Sequence, residues 1–347
     1  MRAAVYRGRQ NLQIESVEVP RIGDEEVLVR IATCGICGTD LKKIEAGLVP
    51  PPRIFGHEMA GTITQIGKDV KLWRVGDRVA VYHHIPCKDC YYCRVGAYAQ
   101  CETYKKVGTT AGFIPSGGGF AEYIRIMDWI VERGMVKLPD HVSFEEATFL
   151  EPVNTCLKAI QKAKVFSNQT VLIIGQGPIG LILLQLARYY GAKVWVTDIL
   201  DSRLKISRNF GADRVINSNE DNVLDLVKRD TEGRGVDIAI VATANNNVIR
   251  MAMDSTRPGG LVMLFAQTKP GDLCELDLGA ICTLEKDVVG SYSSSIDVNR
   301  EVEELVFSGK INVKDLITHR FGLEDINQAI ELATQPANGS LKILVNP

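Results

Sequence analysis

The sequence is short of net charge. Its 40 lysines and arginines against 42 aspartates and glutamates leave a formal charge of -2 over 347 residues. A chain so balanced has no electrostatic reason to bind nucleic acid or an anionic membrane surface. It also lacks a long apolar run, since the longest, PIGLILLQLA from Pro178 to Ala187, is too short to span a bilayer. Charges interrupt the N-terminal stretch MRAAVYRGRQNLQIESVEV, so no signal peptide is expected and a cytoplasmic, reducing compartment is. Solenoid-period repeats and low-complexity segments are missing too. What remains is 46% hydrophobic and 24% charged, a globular composition with the length of two domains.

Cysteine is the residue the chain does have. There are nine, and four fall in PCKDCYYCRVGAYAQC, at Cys87, Cys90, Cys93 and Cys101. In a reducing compartment, clustered thiols are metal ligands sooner than disulfides. The spacing C-x2-C-x2-C-x7-C lets four thiolates converge on one tetrahedral zinc ion at about 2.3 Å. The common iron–sulfur run, C-x2-C-x2-C-x3-C-P, matches the first two spacings but not the third, and no proline follows Cys101. Lys88 and Arg94 flank the thiols and can offset their charge. A closed four-thiolate site leaves no open position, so it would hold a lobe together rather than do chemistry.

Residues 1–150 read as an all-β region. AAVYRG, NLQIESVEV, EVLVRIATCG, AGTITQIG and DRVAVYHH are short runs punctuated by glycine, proline and aspartate. From about Thr170 the pattern becomes α/β: TVLIIG, KVWVTD, RVIN, VDIAIVAT, GGLVMLFA and KDVVGS are buried-strand runs, with helical stretches such as DSRLKISRNF and VLDLVKRD between several of them. That alternation predicts a doubly wound parallel sheet. NREVEELVFSGK should then form a helix and LKILVN a closing strand.

GQGPIG supplies Gly175, Gly177, Pro178, Ile179 and Gly180 directly after the strand VLII and at the start of a helix, the context a dinucleotide site requires. Gly175 would allow the tight turn, Gly177 the approach of a pyrophosphate, and Gly180 helix packing. The helix N-terminus would face the phosphates. Asp198, at the end of the next strand, would hydrogen-bond the ribose of NAD and repel the 2′-phosphate of NADP. Arg203 would lie near the adenine.

A second constellation is looser. CGICGTD carries Cys34 and Cys37, FGHEMAG carries His57 and Glu58, and FLEPVNTC carries Glu151. Cysteine, histidine and carboxylate are the ligand types of a catalytic zinc. A thioredoxin-like use of Cys34 and Cys37 would need a βαβ context instead.

In order, CGICGTD, GHE about twenty residues later, the four-cysteine lobe, GGGFAEY at Gly117–Tyr123 and GQGPIG resemble the zinc-dependent medium-chain alcohol dehydrogenases over essentially the whole chain. Glu151–Pro152 matches the branch of polyol (sorbitol-type) and threonine dehydrogenases. The resemblance implies a chaperonin-10-like β-barrel catalytic domain (1–150) completed by residues 294–347, and a Rossmann domain (151–293) that binds NAD, with the active site in the cleft between them. It implies two zinc ions per chain. Cys37 and His57 become ligands of the catalytic ion, with Glu58 in preference to Glu151 as the third and Cys34 a neighbour only. Thr39 becomes the hydroxyl that bonds the alcohol. Phe265, Ala266, Ser291 and Tyr292 would line the nicotinamide end. A homo-oligomer is implied, a tetramer before a dimer.

Two features depart from that pattern. Many relatives carry a histidine that shuttles the alcohol proton where this chain has Lys42. SYSSS lacks the arginine with which polyol enzymes contact substrate. The expected reaction is therefore secondary-alcohol oxidation of a small molecule, a polyol or sugar alcohol, with a threonine-type amino alcohol as the alternative. An inactive NAD-binding relative would have no use for Cys37, His57 and two carboxylates. His83 and His84 are expected on opposite faces of a strand in structural roles, with His141 and His319 also structural. Cys156, Cys274 and Cys282 are expected in the core.

Overall fold

A computed structural model of the chain describes residues 1–113, 117–268, 271–335 and 339–347. The chain divides into one unit of Met1–Asn154 with Ser293–Pro347 and a second of Thr155–Tyr292. The division falls inside the helix Leu150–Lys162.

The first unit opens with β1 (Arg2–Gly8), β2 (Asn11–Ser16), β3 (Val27–Gly35), β4 (Arg53–Ile54), β5 (Glu58–Ile66), β6 (Arg78–Val81), β7 (Thr109–Thr110), β8 (Tyr123–Ile126) and β9 (Met135–Lys137). β3 is the hub. It pairs antiparallel with β5 and with β8, and its buried residues Val27, Val29, Ile31 and Cys34 sit in the core. The region is not all-β as expected. TDLKKIEAG begins inside helix α1 (Gly38–Ala46), which buries Asp40 and Ile44, four apart on one face, and ends at Gly47 with φ 66°. Thr39, Lys42 and Lys43 are only partly buried, which hid the helical period from a strand-based reading.

The second unit holds β10 (Thr170–Ile174), β11 (Lys193–Asp198), β12 (Arg214–Asn217), β13 (Val236–Val241), β14 (Thr256–Leu264) and β15 (Asp287–Gly290). All are parallel, in the order β12-β11-β10-β13-β14-β15. That is the dinucleotide-binding order, with its reversal between β10 and β13. β10 and β13 are buried almost throughout, which explains their unbroken apolar runs.

The chain then returns to the first unit. The helix Asn299–Phe307 precedes β16 (Ile317–Gly322) and β17 (Lys342–Asn346). β17 pairs antiparallel with β3, so the last strand lies against the hub of the first sheet. Asn154 ties the two segments: its amide donates to Ser295 O at 3.0 Å and accepts from Ser295 N at 2.8 Å. Cys156 is buried as expected and Cys274, partly buried, packs against the core of the second unit, but Cys282 is exposed and is not a core residue.

Candidate active site

The four-cysteine lobe is built on a short turn. Residues 91–94 form one helical turn with Cys90 at its N-terminus. Cys87 Sγ lies 3.9 Å from Cys93 Sγ, and Cys90 Sγ 3.5 Å from Cys93 Sγ. Four sulfurs about 2.3 Å from one ion would be spaced by about 3.8 Å. All nine cysteines are free thiols, so none of these pairs is a disulfide. Backbone N–H groups of Cys87 and Cys90 point at Cys101 and Cys87 sulfur. Burial opposes the Cys87 thiolate, but the Cys90 N–H and neighbouring donors outweigh it and lower its pKa, whereas burial raises that of Cys93. Tyr98 and Tyr104 pack over the cluster.

The second constellation converges in the first unit. Among the described residues, donor atoms of Cys37, His57 and Glu58 all lie within 4.8 Å of one another. Cys37 stands at the N-terminus of α1. Thr39 Oγ1 donates to Cys37 Sγ at 3.3 Å. One turn into the helix, Asp40 is 2% exposed and its Oδ1 stands 3.2 Å from His57 Nδ1. This fixes the imidazole so that Nε2 is the nitrogen left for a ligand role. Burial opposes a charged His57, but Asp40 and the Cys37 thiolate outweigh it and hold its pKa well above the ordinary range.

Glu58 stands at the start of β5 opposite Gly35 of β3. A Cβ at Gly35 would collide with the Glu58 carboxylate, so the glycine makes its room. Glu58 is 1% exposed and is gripped by Lys342 Nζ, which donates to its two oxygens at 2.8 and 2.6 Å and to Ile36 O at 3.4 Å. Burial raises the Glu58 pKa even against that ammonium. Glu151 is not in the three-residue group. It lies at the start of the helix Leu150–Lys162, buried, with Oε1 3.3 Å from His84 Nδ1. That contact is off the line of a hydrogen bond, since His84 Nδ1 is buried without one.

His83 and His84 are the clearest correction. β6 stops at Val81, so the two-residue strand period does not extend to them. Their ring centroids lie 3.5 Å apart, and the ring of His83 lies 4.9 Å from that of His57, tilted by 51°. Burial keeps both away from the charged form. His141 and His319 lie elsewhere, bonding Phe307 O and Thr318. Lys42, on α1, is half-buried, and burial lowers its pKa. Sequence reading also missed Asp40 and Lys342. The signals were an acid in the first turn after the cysteine, and one lysine in an otherwise apolar closing strand.

In the second unit, Gly175 has φ 95° and its N–H bonds Thr197 O at 2.8 Å. Gly177 caps the helix Pro178–Tyr189, with Pro178 at its first position. A Cβ at Gly180 would strike Gly175 O, so this glycine closes the turn itself. Asp198 accepts from Gln176 N at 2.6 Å, Ile199 N at 2.8 Å and Leu200 N at 3.0 Å. These bonds fix the carboxylate at the strand end and leave acceptor capacity on Oδ2, which takes only the Gln176 N–H. Arg203 Nη1 lies 4.0 Å from Asp198, with Gly177 as its other neighbour. Phe265 and Ala266 follow β14, and Ser291 and Tyr292 follow β15, all at the carboxyl ends of the strands where nucleotides bind in such sheets.

Comparison with known proteins agrees with both units. Residues 23–140 match the family model of the alcohol dehydrogenase GroES-like domain and 178–308 that of the zinc-binding dehydrogenases. Sorbitol dehydrogenase of Bacillus subtilis is 33% identical over 100% of this chain and 97% of its own length. L-idonate 5-dehydrogenase of Vitis vinifera is 34% identical over 99% and 94%. A Sinorhizobium meliloti 1021 protein solved bound to NADP superposes with a TM-score of 0.90 at 27% identity, covering 100% of this chain and 99% of its own. With both family models matched and relatives at 33% and 34% identity covered over nearly their whole length, the chain belongs to the zinc-dependent medium-chain alcohol dehydrogenase family.

Proposed function

We propose that the chain reversibly oxidises a secondary alcohol of a polyol or sugar-derived substrate to a ketone, with NAD as hydride acceptor. One zinc ion would be held by Cys37, His57 and Glu58 and a second, structural one by Cys87, Cys90, Cys93 and Cys101. The observation that carries this is the thiolate, imidazole and carboxylate gathered within 4.8 Å. Their chemistry fits a zinc site with a position left open, and the lobe's sulfur spacings fit a closed one.

When bound, the catalytic zinc would supply Lewis acidity to the substrate oxygen, and NAD a hydride acceptor. The chain's own residues do the rest. Thr39 Oγ1, whose hydroxyl bonds Cys37 Sγ at 3.3 Å, would turn that hydroxyl to water and give up its own proton there as it accepts the proton of the alcohol. Lys42 is the other candidate for that relay. Asp40 keeps His57 in one tautomer, and Lys342 fixes the carboxylate of Glu58. Glu151, backed by His84, offers an acceptor to the substrate hydroxyl. Asp198, fixed by three backbone N–H groups, supports NAD over NADP. Gly175, Gly177 and Gly180 would pass the pyrophosphate, with Phe265, Ala266, Ser291 and Tyr292 at the nicotinamide end.

We also assign the protein to the cytoplasm as a homo-oligomer, a tetramer before a dimer. Its nine unpaired thiols support a reducing compartment. Exposed Leu278 and Leu284, with Val288 on the edge strand β15, support association. Among the described residues, no helix is long and apolar enough to cross a membrane. The test is NADH absorbance when the zinc-loaded protein meets NAD and a panel of polyols, sugar acids and threonine. Turnover of secondary alcohols is expected, and none with any of the panel would overturn the reading.

A further inference from the structure

The oxidation just described leaves one charged group near the metal donors without a task. Lys43 follows Thr39 by four residues and Asp40 by three on α1. Those spacings put side chains on one helical face. Thr39 reaches Cys37 Sγ at 3.3 Å, and Asp40 reaches His57 at 3.2 Å. Lys43 therefore stands one turn further along the side of α1 that fronts the metal donors. Its charge also weighs on Asp40, and on His83 and His84 after burial and the neighbouring rings.

The lysine is half-buried, and among the described residues no carboxylate lies within ion-pairing distance of its ammonium. Lys342 is paired with Glu58 at 2.6 Å and Arg125 with Glu26 at 2.7 Å, whereas Arg53, away from the metal donors, is buried without an ion pair among the described residues. Asp40, three residues before it on the helix, faces His57 through Oδ1 and makes no ion pair with Lys43. A half-buried lysine with no carboxylate partner among the described residues can complete an ion pair with an anion that arrives from outside. Its place beside the reacting centre says that the other half arrives with the substrate.

We propose that Lys43 is a specificity-determining residue that receives an anionic substituent, a carboxylate or a phosphate monoester, on the alcohol to be oxidised. The substrates are then hydroxy acids or polyol phosphates rather than neutral polyols. This rests on the dehydrogenase reading above and narrows its substrate class.

The test compares kcat/KM with NAD for sorbitol, sorbitol 6-phosphate and gluconate. One anionic compound should exceed sorbitol by about 30-fold or more, and which one it is distinguishes phosphate from carboxylate. In Lys43→Ala the ratio of anionic to neutral kcat/KM should fall at least about tenfold, and in Lys43→Arg it should stay within a few-fold of the parent. Calorimetric binding of inorganic phosphate and of gluconate to the zinc-loaded protein without NAD supplies a readout independent of turnover. The preferred anion should bind at least about tenfold more weakly to Lys43→Ala, and the parent's binding should weaken more steeply with salt. Oxidation of sorbitol with no anionic preference, or a ratio unchanged in Lys43→Ala, would overturn the inference and leave the dehydrogenase intact. If no compound is oxidised and anion binding ignores Lys43, both fall.

Discussion

Replacing Lys342 with methionine removes the ammonium and keeps most of the side-chain volume. Lys342 and Glu58 are 4% and 1% exposed, and all three donors of the ammonium are used, on Glu58 Oε1, Glu58 Oε2 and Ile36 O. Water therefore cannot replace the lost partner without opening the junction of β17, β3 and β5. Breaking one side of such a pair leaves an uncompensated buried charge and costs ~3–5 kcal/mol. At ~2–4 °C per kcal/mol for a domain of this size, the melting temperature of zinc-free protein should fall by ~6–20 °C. Differential scanning calorimetry of the apo protein reads this directly. The double variant Lys342→Met with Glu58→Leu should recover most of the loss, because an apolar pair carries no buried charge. A single variant as stable as the parent would refute the view that this pair anchors the last strand to the metal-site strand.

Cofactor choice should follow Asp198: the parent should prefer NAD by about 10- to 100-fold, the effect of ~1.4–2.8 kcal/mol of like-charge repulsion. Asp198→Ser with Ile199→Arg should narrow the gap, and equal kcat/KM for NAD and NADP in the parent would sink the assignment. Cys90→Ser should lower thermal stability and solubility, and a variant melting with the parent would deny the lobe its structural metal. Acid should also destabilise the zinc-loaded protein through His83. Its folded pKa is depressed, so the unfolded chain binds the extra proton, and stability rises with pH. The loss should begin below about pH 6.5 and approach ~1.4 kcal/mol per pH unit per buried neutral histidine. His83→Phe should flatten that slope in urea titrations, and an unchanged slope would place the proton uptake elsewhere.

The parts legible in the sequence were those with a local period or spacing. β10 and β13 are buried on both faces and read as unbroken apolar runs, and Gly175 to Gly180 sit in the strand–turn–helix they announce. The four cysteines lie within fifteen residues and converge through one helical turn. The groups that were hidden depend on pairing across long separations. Lys342 meets Glu58 only because β17 returns to β3, 284 residues after the glutamate. His83 and His84 were misread because β6 ends two residues before them, and the alternation argument ended with it. Asp40 was lost with its helix, whose partly buried lysines blur the amphipathic pattern.

The central claim is that Cys37, His57 and Glu58 hold a second metal ion, distinct from the lobe, on which turnover depends. Zinc per chain, measured by mass spectrometry of the purified protein alongside NADH formation, tests it most directly. The account predicts two zinc ions in the parent, and one in Cys37→Ser together with a native circular-dichroism spectrum and no NADH. One zinc in the parent, or a Cys37→Ser variant that keeps two ions and full turnover, would contradict it.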